Sequence, residues 1–166
     1  MEKENLQNTF TDLMRQNKGI IYKICYMYAA NEFDRQDLYQ EILSRVWQGF
    51  PKFRGDAKFS TWLYRVAFNT ALTSSRQDKR SVVGYTADGT LPDLAHTDAD
   101  QAHKEQLEML YNAIGQLNEI EKAVVMLYID NKSYEEMETI MGIPNGALRV
   151  KMTRIKEKLK KITKTN

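Results

Sequence analysis

The sequence is poor in the residue types that most often carry catalysis or hold metals. Its 166 residues include one cysteine and two histidines. Cys25 lies in an apolar run without a second cysteine or a histidine at metal-ligand spacing, which predicts a buried, unreactive thiol. His96 and His103 are too isolated to act as ligands, and no Ser-His-Asp set or phosphate-cradling glycine loop is present. We therefore expect no catalytic site, metal, cofactor or small-molecule substrate.

Long hydrophobic runs are also lacking. None approaches the roughly 18 residues that a membrane-spanning helix requires. The first residues, Met1–Asn5, lack the basic and apolar regions of a signal peptide, so we expect a cytoplasmic protein. A hydrophobic content of 42% is sufficient for packed cores, and the length allows one ordinary domain or two small ones.

The net charge of +2 conceals an uneven distribution along the chain. Residues 1–77 carry 11 Lys or Arg against 8 Asp or Glu, residues 78–121 carry 3 against 9, and residues 122–166 carry 10 against 5. A basic front, an acidic middle and a basic tail predict two modules that face a polyanion, joined by a segment with a different role.

Apolar residues in the first module recur at steps of three and four, the period of an amphipathic helix. On either side of a polar break at 31–34 this predicts two antiparallel helices, with apolar positions at Leu6, Phe10, Leu13, Ile20, Ile24, Tyr28, Leu38, Ile42, Val46 and Trp47. Pro51 and Gly55 then interrupt the pattern. Ser60 is predicted to cap a third helix that starts at Thr61, and the first module spans residues 1–77.

The helical period fails after the first module, where glycines and a proline are scattered among Asp, Thr and Ala. We predict an acidic, flexible linker over residues 78–104, which is longer than compact domains normally tolerate in a loop. The period resumes at Leu107, so a second helical module spans residues 105–166. The predicted fold is all-α, with two small helical domains.

The stretch "SYEEMETIMGIPNGALRVKMTRIKEKLKK" in the second module predicts a helix-turn-helix. Ser133 and Glu136 form a capping box that begins the first helix. Gly142 closes that helix, and Pro144 can occupy the first position of the next one. The sequence therefore predicts two helices joined by a tight turn.

The second of these helices has two contrasting faces. Its apolar residues step by four, three, four and three, at Leu148, Met152, Ile155, Leu159 and Ile162. The opposite face carries Arg149, Val150, Thr153 and Arg154. A recognition helix in a DNA major groove needs this layout, with base-reading side chains near its start and cations for phosphates. The alternative for a basic terminal helix is a solvated face.

The first module carries a second candidate surface in "DRQDLYQEILSRVWQGFPKFRGDAKFSTWLYRVAFNTALTSSR", residues 34–76. An acidic amphipathic helix is followed there by a loop and a helix rich in aromatic residues and cations. Aromatic rings can stack on unpaired bases while cations follow the backbone, which suits a separated DNA strand. The alternative for each aromatic residue is core packing, which we expect for Trp47, Trp62 and Phe68.

Over nearly its whole length the chain resembles the extracytoplasmic-function sigma factors of bacterial RNA polymerase. The segment "DLYQEILSRVW" is similar to the polymerase-binding helix of that family, and "FRGDAKFSTWLYRVAFN" to its promoter-melting loop and downstream-element helix. The helix-turn-helix stretch is similar to its upstream-element reader. The resemblance implies a transcription initiation factor whose partners are core RNA polymerase, promoter DNA and an anti-sigma factor, usually a membrane-linked one.

The resemblance also implies roles for individual residues. The positions that would grip the clamp coiled coil of the polymerase are Asp37, Gln40 and Glu41. The positions implied at the minus-ten element are Arg54, Lys58 and Phe59 in the loop, and Trp62, Tyr64, Arg65 and Asn69 on the following helix. The positions implied at the minus-thirty-five element are Arg149, Val150, Thr153 and Arg154.

The chain departs from the family pattern at three positions. Glu138 stands where the family usually has a small alanine between the two helices, and we expect this bulky acid to lie outward. Ala147 replaces a common threonine, and Val150 replaces a common serine, so that it can meet only a thymine methyl group or nothing. A stand-alone helix-turn-helix repressor and a helical adaptor without a DNA role stay open as alternatives. The repressor leaves the polymerase-binding motif unused, and the adaptor does not explain the charge pattern.

Overall fold

The computed structural model describes residues 1–78 and 101–164, and every regular element in these two stretches is a helix. The two stretches belong to two separate compact units. The prediction of an all-α protein with two helical domains is confirmed. Most of the predicted linker lies outside the described residues.

The first unit consists of three helices that pack pairwise against one another. They are α1 (Glu2–Tyr28), α2 (Glu32–Gly49) and α3 (Phe59–Asp78), with a single 3-10 turn between α2 and α3. Asn31 caps α2, because its side chain accepts a hydrogen bond from the backbone N–H of Asp34 at 2.8 Å. The predicted polar break is thus a helix start.

The core of the first unit contains only part of the apolar stripes that the periodicity predicted. Its largest fully buried side chains are Ile21, Ile24, Ile42, Val46, Leu63 and Phe68. Ile24, Leu38, Ile42 and Val46 are buried, whereas the other predicted positions on α1 are half-buried: Leu6, Phe10, Leu13, Ile20 and Tyr28. Trp47, for which we expected core packing, is 43% exposed and touches Phe10 edge-on at 4.8 Å between ring centroids. The expectation is wrong for Trp47, because its contact with Phe10 of α1 leaves much of the residue in solvent.

The third helix begins earlier than its sequence suggests. It starts at Phe59, and the backbone N–H of Trp62 donates to the carbonyl oxygen of Lys58 at 3.2 Å. Ser60 therefore lies inside the first turn, and the predicted cap at this residue is wrong. Phe59, the first residue of α3, packs its ring against those of Phe50 and Phe53, contacts that a local capping pattern does not reveal.

The second unit consists of four helices, and the last of them contacts the other three. They are α4 (Gln101–Gly115), α5 (Glu119–Ile129), α6 (Tyr134–Met141) and α7 (Asn145–Lys164). Residues 101–104, predicted to belong to the linker, form the first turn of α4. Their side chains are exposed, so they carry no apolar period by which a helix could be recognised. In the described ranges no helix has the length and apolarity needed to cross a bilayer.

Candidate nucleic-acid interface

Helix α7 has one buried face and one exposed face, as its sequence pattern predicts. Leu148, Met152 and Ile155 are buried against the other helices of the second unit. The four predicted base- and phosphate-contacting residues are exposed: Arg149, Val150, Thr153 and Arg154. Burial of the apolar stripe fixes the rotation of α7 about its own axis, so these four side chains face solvent together.

Helix α6 has the predicted capping chemistry at both of its ends. The Ser133 hydroxyl accepts from the backbone N–H of Glu136 at 3.1 Å, and the Glu136 carboxylate accepts from the backbone N–H of Ser133 at 2.8 Å. Gly142 ends α6 with a φ of 68°, a left-handed conformation that favours glycine. Pro144 lies just before α7, not at its first helical position, and its carbonyl accepts from Leu148 N–H at 3.0 Å.

Glu138 lies outward from the packed surface between α6 and α7, as we expected from its size. It is exposed, and its carboxylate accepts a hydrogen bond from the backbone N–H of Asn145 at 3.1 Å. This N–H is one of the four that no residue inside α7 can satisfy, and a carboxylate also suits the positive end of the helix dipole. Glu138 therefore caps α7 from the neighbouring helix.

Arg149 is held by two residues at the start of the helix-turn-helix. Its Nε donates to the Asn145 side-chain oxygen at 2.8 Å, and its guanidinium lies 4.4 Å from the centre of the Tyr134 ring. The Asn145 amide nitrogen donates in turn to the Glu135 carboxylate at 3.3 Å. Sequence reasoning did not identify these contacts. The spacing of four between Asn145 and Arg149 could have suggested the first one, whereas the Tyr134 contact depends on how α6 and α7 pack.

A second contact anchors the middle of α7 to α5. Lys158 donates to the Glu121 carboxylate at 2.5 Å, and the same carboxylate accepts from the backbone N–H of Asn118 at 3.2 Å. The Asn118 side chain accepts from the Glu121 N–H at 2.9 Å, which completes a capping box for α5. Burial alone would raise the pKa of Glu121, but these hydrogen bonds and the charges of Lys158 and Lys151 hold that pKa below its ordinary value.

The predicted minus-ten residues, in the loop after α2 and on α3, fall into two groups by their exposure. Arg54, Lys58, Arg65 and Asn69 are exposed, and Trp62 is half-buried. Phe59 is 8% exposed and Tyr64 is 3% exposed, so neither ring can stack on a base in this conformation. The periodicity of a short aromatic-rich segment did not reveal which rings point inward. Gly55, with a φ of 77°, provides the left-handed residue that the loop requires next to Arg54.

Phe59 and Trp62 belong to a cluster of aromatic rings beneath the loop. The Phe59 ring meets those of Phe50, Phe53 and Trp62 at centroid distances of 6.1, 5.7 and 5.6 Å. Edge-on and tilted ring contacts of this kind stabilise a fixed arrangement beyond simple burial. The cluster therefore supports the loop from below, while its cations stay in solvent.

The acidic positions on α2 form an exposed surface on the first unit. Asp37, Gln40 and Glu41 are all exposed, and their spacing places them on one side of the helix. Glu41 accepts from Arg45 at 3.0 Å, but both side chains are largely in solvent, at 43% and 50% exposure. Such a pair is weak in water, so Glu41 can exchange Arg45 for another cation at little cost.

Cys25 is buried, and burial raises the pKa of its thiol to about 12. Across residues 1–78 and 101–164, no three His, Cys, Asp or Glu side chains are grouped in a way that could hold a metal ion. The described surfaces offer three charged features: an acidic face on α2, a cationic loop in the first unit, and an exposed basic face on α7.

Two family models match the chain in the order of its two units. Sigma-70 region 2 matches residues 13–81, and Sigma-70 region 4 matches residues 107–159. The first match covers the acidic face and the cationic loop, and the second covers the helix-turn-helix.

Curated relatives agree with these matches. The ECF RNA polymerase sigma factor SigW of Bacillus subtilis is 30% identical, over 96% of this chain and 91% of its own length. The ECF RNA polymerase sigma-E factor of Escherichia coli K12 is also 30% identical, over 75% of this chain and 71% of its own length.

Two solved structures share the fold. The sigma factor RpoE, crystallised with the anti-sigma factor NepR from Bartonella quintana, has a TM-score of 0.73 and 18% identity, covering 95% of this chain and 98% of its own. CnrH, in complex with the cytosolic domain of CnrY, has a TM-score of 0.69 and 19% identity, covering 96% and 90%. With matches in both units and a relative 30% identical along nearly its whole length, the chain belongs to the extracytoplasmic-function sigma factors, which are non-enzymatic transcription initiation factors.

Proposed function

We propose that this sigma factor brings core RNA polymerase to promoters through three separate surfaces and promotes strand opening there, while the polymerase carries out all the chemistry. The observation that carries the proposal is the exposed row at the start of α7, whose underside is buried and whose rotation is therefore fixed. In a major groove this row presents two guanidinium groups, a hydroxyl and an apolar side chain to the DNA.

In this proposal the domains have the boundaries predicted from the sequence. Residues 1–77 bind the polymerase and the minus-ten element, residues 78–104 act as the linker, and residues 105–166 read the minus-thirty-five element. The family matches at residues 13–81 and 107–159 support this division.

Polymerase binding is assigned to Asp37, Gln40 and Glu41. All three are exposed on α2 inside the segment matched by Sigma-70 region 2. A cation of the clamp coiled coil would replace Arg45 as the partner of Glu41. Electrostatic complementarity of this kind favours a specific register between the two proteins and speeds their association.

Contact with the minus-ten element is assigned to the members of the predicted set that are exposed or half-buried: Arg54, Lys58, Trp62, Arg65 and Asn69. The cations would follow the backbone of the separated strand, and the half-buried Trp62 can offer the open part of its ring to a base. Phe59 and Tyr64 take a different role, because both are buried: Phe59 supports the loop through the aromatic cluster, and Tyr64 packs on Phe68 within α3.

Contact with the minus-thirty-five element is assigned to Arg149, Val150, Thr153 and Arg154. Val150 is 52% exposed and can donate no hydrogen bond, so it would select a thymine methyl group. Lys160 lies further along α7 and is also exposed, which suits a phosphate contact.

An anti-sigma factor is the proposed inhibitory partner, and the cytoplasm is the proposed location, since the polymerase works there. One structural neighbour, RpoE, was crystallised with the anti-sigma factor NepR, and another, CnrH, was solved in complex with the cytosolic domain of CnrY. An inhibitor that covered the DNA-facing and polymerase-facing surfaces would prevent initiation.

The test is a gel shift and a permanganate footprint on promoter DNA, with and without core polymerase. We expect weak binding by the free protein, because one helix-turn-helix offers a small interface. With polymerase, both units are held at fixed spacing, so the second contact becomes intramolecular and affinity rises. Unpaired thymines should then react near the start site. Tight, specific binding by the protein alone, without strand opening when polymerase is added, would instead establish a stand-alone repressor.

Variants of α7 test the recognition helix itself. Arg149→Ala and Arg154→Ala should each cost the holoenzyme about 1–3 kcal/mol of promoter binding, because each removes a base or phosphate contact. Lys160→Ala should cost less and act alike on all sequences. Equal losses for all three variants on specific and scrambled upstream elements would contradict this part of the proposal.

A further inference from the structure

We propose that Tyr134 and Asn145 are positioning residues that hold Arg149 ready to read a base in the upstream element. The inference rests on the proposed function of α7 and adds the device that makes one of its contacts selective. Neither residue is among the predicted DNA contacts, and Tyr134 lies on α6, outside the recognition helix.

The two contacts restrict the Arg149 side chain in complementary ways. The hydrogen bond from its Nε to Asn145, at 2.8 Å, fixes one edge of the planar guanidinium. The Tyr134 ring, 4.4 Å from the guanidinium carbon, lies against the group and limits its swing. An unrestrained arginine would lose most of its rotamer freedom on binding, whereas this one has lost part of it before DNA arrives.

Glu135 sets the orientation of the Asn145 amide. It accepts from the Asn145 amide nitrogen at 3.3 Å, which leaves the amide oxygen to face Arg149. The reversed amide would place its NH2 group against the Arg149 Nε–H, a contact between two donors, and its oxygen against a carboxylate. The chain from Glu135 through Asn145 to Arg149 therefore has one arrangement in which every hydrogen bond is made.

This arrangement leaves the terminal Nη groups of Arg149 for DNA. Their parallel N–H bonds match a pair of acceptors, which both the guanine O6/N7 edge and a phosphate group provide. The Glu135 and Glu138 carboxylates both bond to Asn145, which itself contacts Arg149. Two anions so close to the site disfavour a phosphate, and a neutral base edge avoids that repulsion. The structure therefore assigns Arg149 to guanine.

The experiment is a double-mutant cycle with the holoenzyme, in which binding is measured to a promoter and to the same promoter with a scrambled upstream element. The variants are Tyr134→Leu, Tyr134→Phe and Asn145→Ala, each made alone and combined with Arg149→Ala. The readout is the ratio of the two affinities, because a loss of folded protein lowers both alike and leaves the ratio unchanged.

We expect Tyr134→Leu and Asn145→Ala each to lower the ratio by about twofold to fivefold, and to have no effect once Arg149 is alanine. Tyr134→Phe should keep the wild-type ratio, since the ring remains. Asn145→Ala retains the backbone N–H that donates to the Glu138 carboxylate, so this cap of α7 is kept in the variant. Tyr128→Leu is the matched control. The Tyr128 ring, on α5, has its centre 4.7 Å from the Nζ of Lys156 on α7, a cation–ring contact that does not involve Arg149. Removing the Tyr128 ring should leave the ratio unchanged.

The outcomes separate this inference from the function on which it rests. If Arg149→Ala and Arg154→Ala both leave the ratio unchanged, the recognition-helix proposal itself fails; if only Arg149→Ala does so, Arg149 reads no base and the positioning role is refuted. If Arg149→Ala lowers the ratio but the positioning variants do not, or if they act equally without Arg149, only the positioning role is refuted. Replacing each upstream guanine in turn by 7-deazaguanine, which lacks the N7 acceptor, tests the base. If one such replacement weakens promoter binding by the wild-type holoenzyme but not by the Arg149→Ala holoenzyme, guanine readout is supported. If no replacement weakens binding, Arg149 contacts a phosphate and the assignment to guanine is refuted.

Discussion

Removing the charge of Glu121 should loosen the second unit by an amount that depends on pH. The Glu121→Gln variant keeps the shape of the side chain, and its amide oxygen can still accept from Asn118, so the cap of α5 is largely retained. It loses the charged hydrogen bond with Lys158. Such bonds contribute about 1.5–3 kcal/mol. Because the Lys158 side chain is 53% exposed and screened by solvent, we expect a loss of about 1–2 kcal/mol at pH 7.

The pH dependence has a definite sign. Burial by itself would raise the pKa of Glu121, but Lys158, the Asn118 N–H and Lys151 together lower it from 4.5. A carboxylate whose pKa is lowered by folding contributes stability that is present above the unfolded pKa and is lost as the pH falls through the folded value. The difference between wild type and Glu121→Gln should therefore be constant near neutrality and shrink below about pH 4.5.

Hydrogen–deuterium exchange of the full-length protein provides the assay. Amides of α5 and α7 should exchange faster in Glu121→Gln at pH 7, after correction for intrinsic rates. Both tryptophans lie in the first unit, so their fluorescence during denaturation serves as an internal control that should not change. Glu157→Gln, an exposed charge removal on α7, should leave the exchange unaltered. A stability difference that stays the same from pH 7 to pH 3 would refute the role given to the ionised carboxylate.

Three further predictions concern separate parts of the chain. The thiol pKa of Cys25 is about 12, against an ordinary 9.0, so Cys25 should react with a maleimide at pH 8 about 1,000-fold more slowly than an exposed thiol. Denaturant should remove this protection. Fast reaction of the native protein would contradict the burial of Cys25. The double variant Asp37→Lys with Glu41→Lys should abolish co-elution with core polymerase while its circular dichroism spectrum stays unchanged. Asp12→Lys, a charge reversal at an exposed position on α1, is the control and should have no effect on co-elution. Co-elution of the double variant at wild-type strength would exclude the assigned clamp contact. Glu138→Ala removes the carboxylate that caps α7, so the free energy of unfolding of the second unit, measured by denaturation, should fall by about 0.5–2 kcal/mol. An unchanged or higher stability would mean that the hydrogen bond from Asn145 contributes nothing.

The sequence alone determined most of the helices and the exposed face of α7. Apolar residues at steps of three and four specify which side of a helix is buried, so the positions of Leu148 and Met152 already placed Arg149 and Val150 on the opposite side. The Ser133 capping box and Gly142 are equally local, because a cap or a left-handed residue involves only the few residues around it. These features were predicted correctly for that reason.

The tertiary structure decided what depends on the approach of residues far apart in the chain. Trp47 is exposed and Tyr64 is buried because of where neighbouring helices lie, which a helical period cannot specify in an aromatic-rich segment. Lys158 meets Glu121 across 37 positions of sequence, and the guanidinium of Arg149 meets the Tyr134 ring only because α6 and α7 pack at one angle. Periodicity tells which side of a helix is buried, but the partner of each side chain is set when the helices pack together.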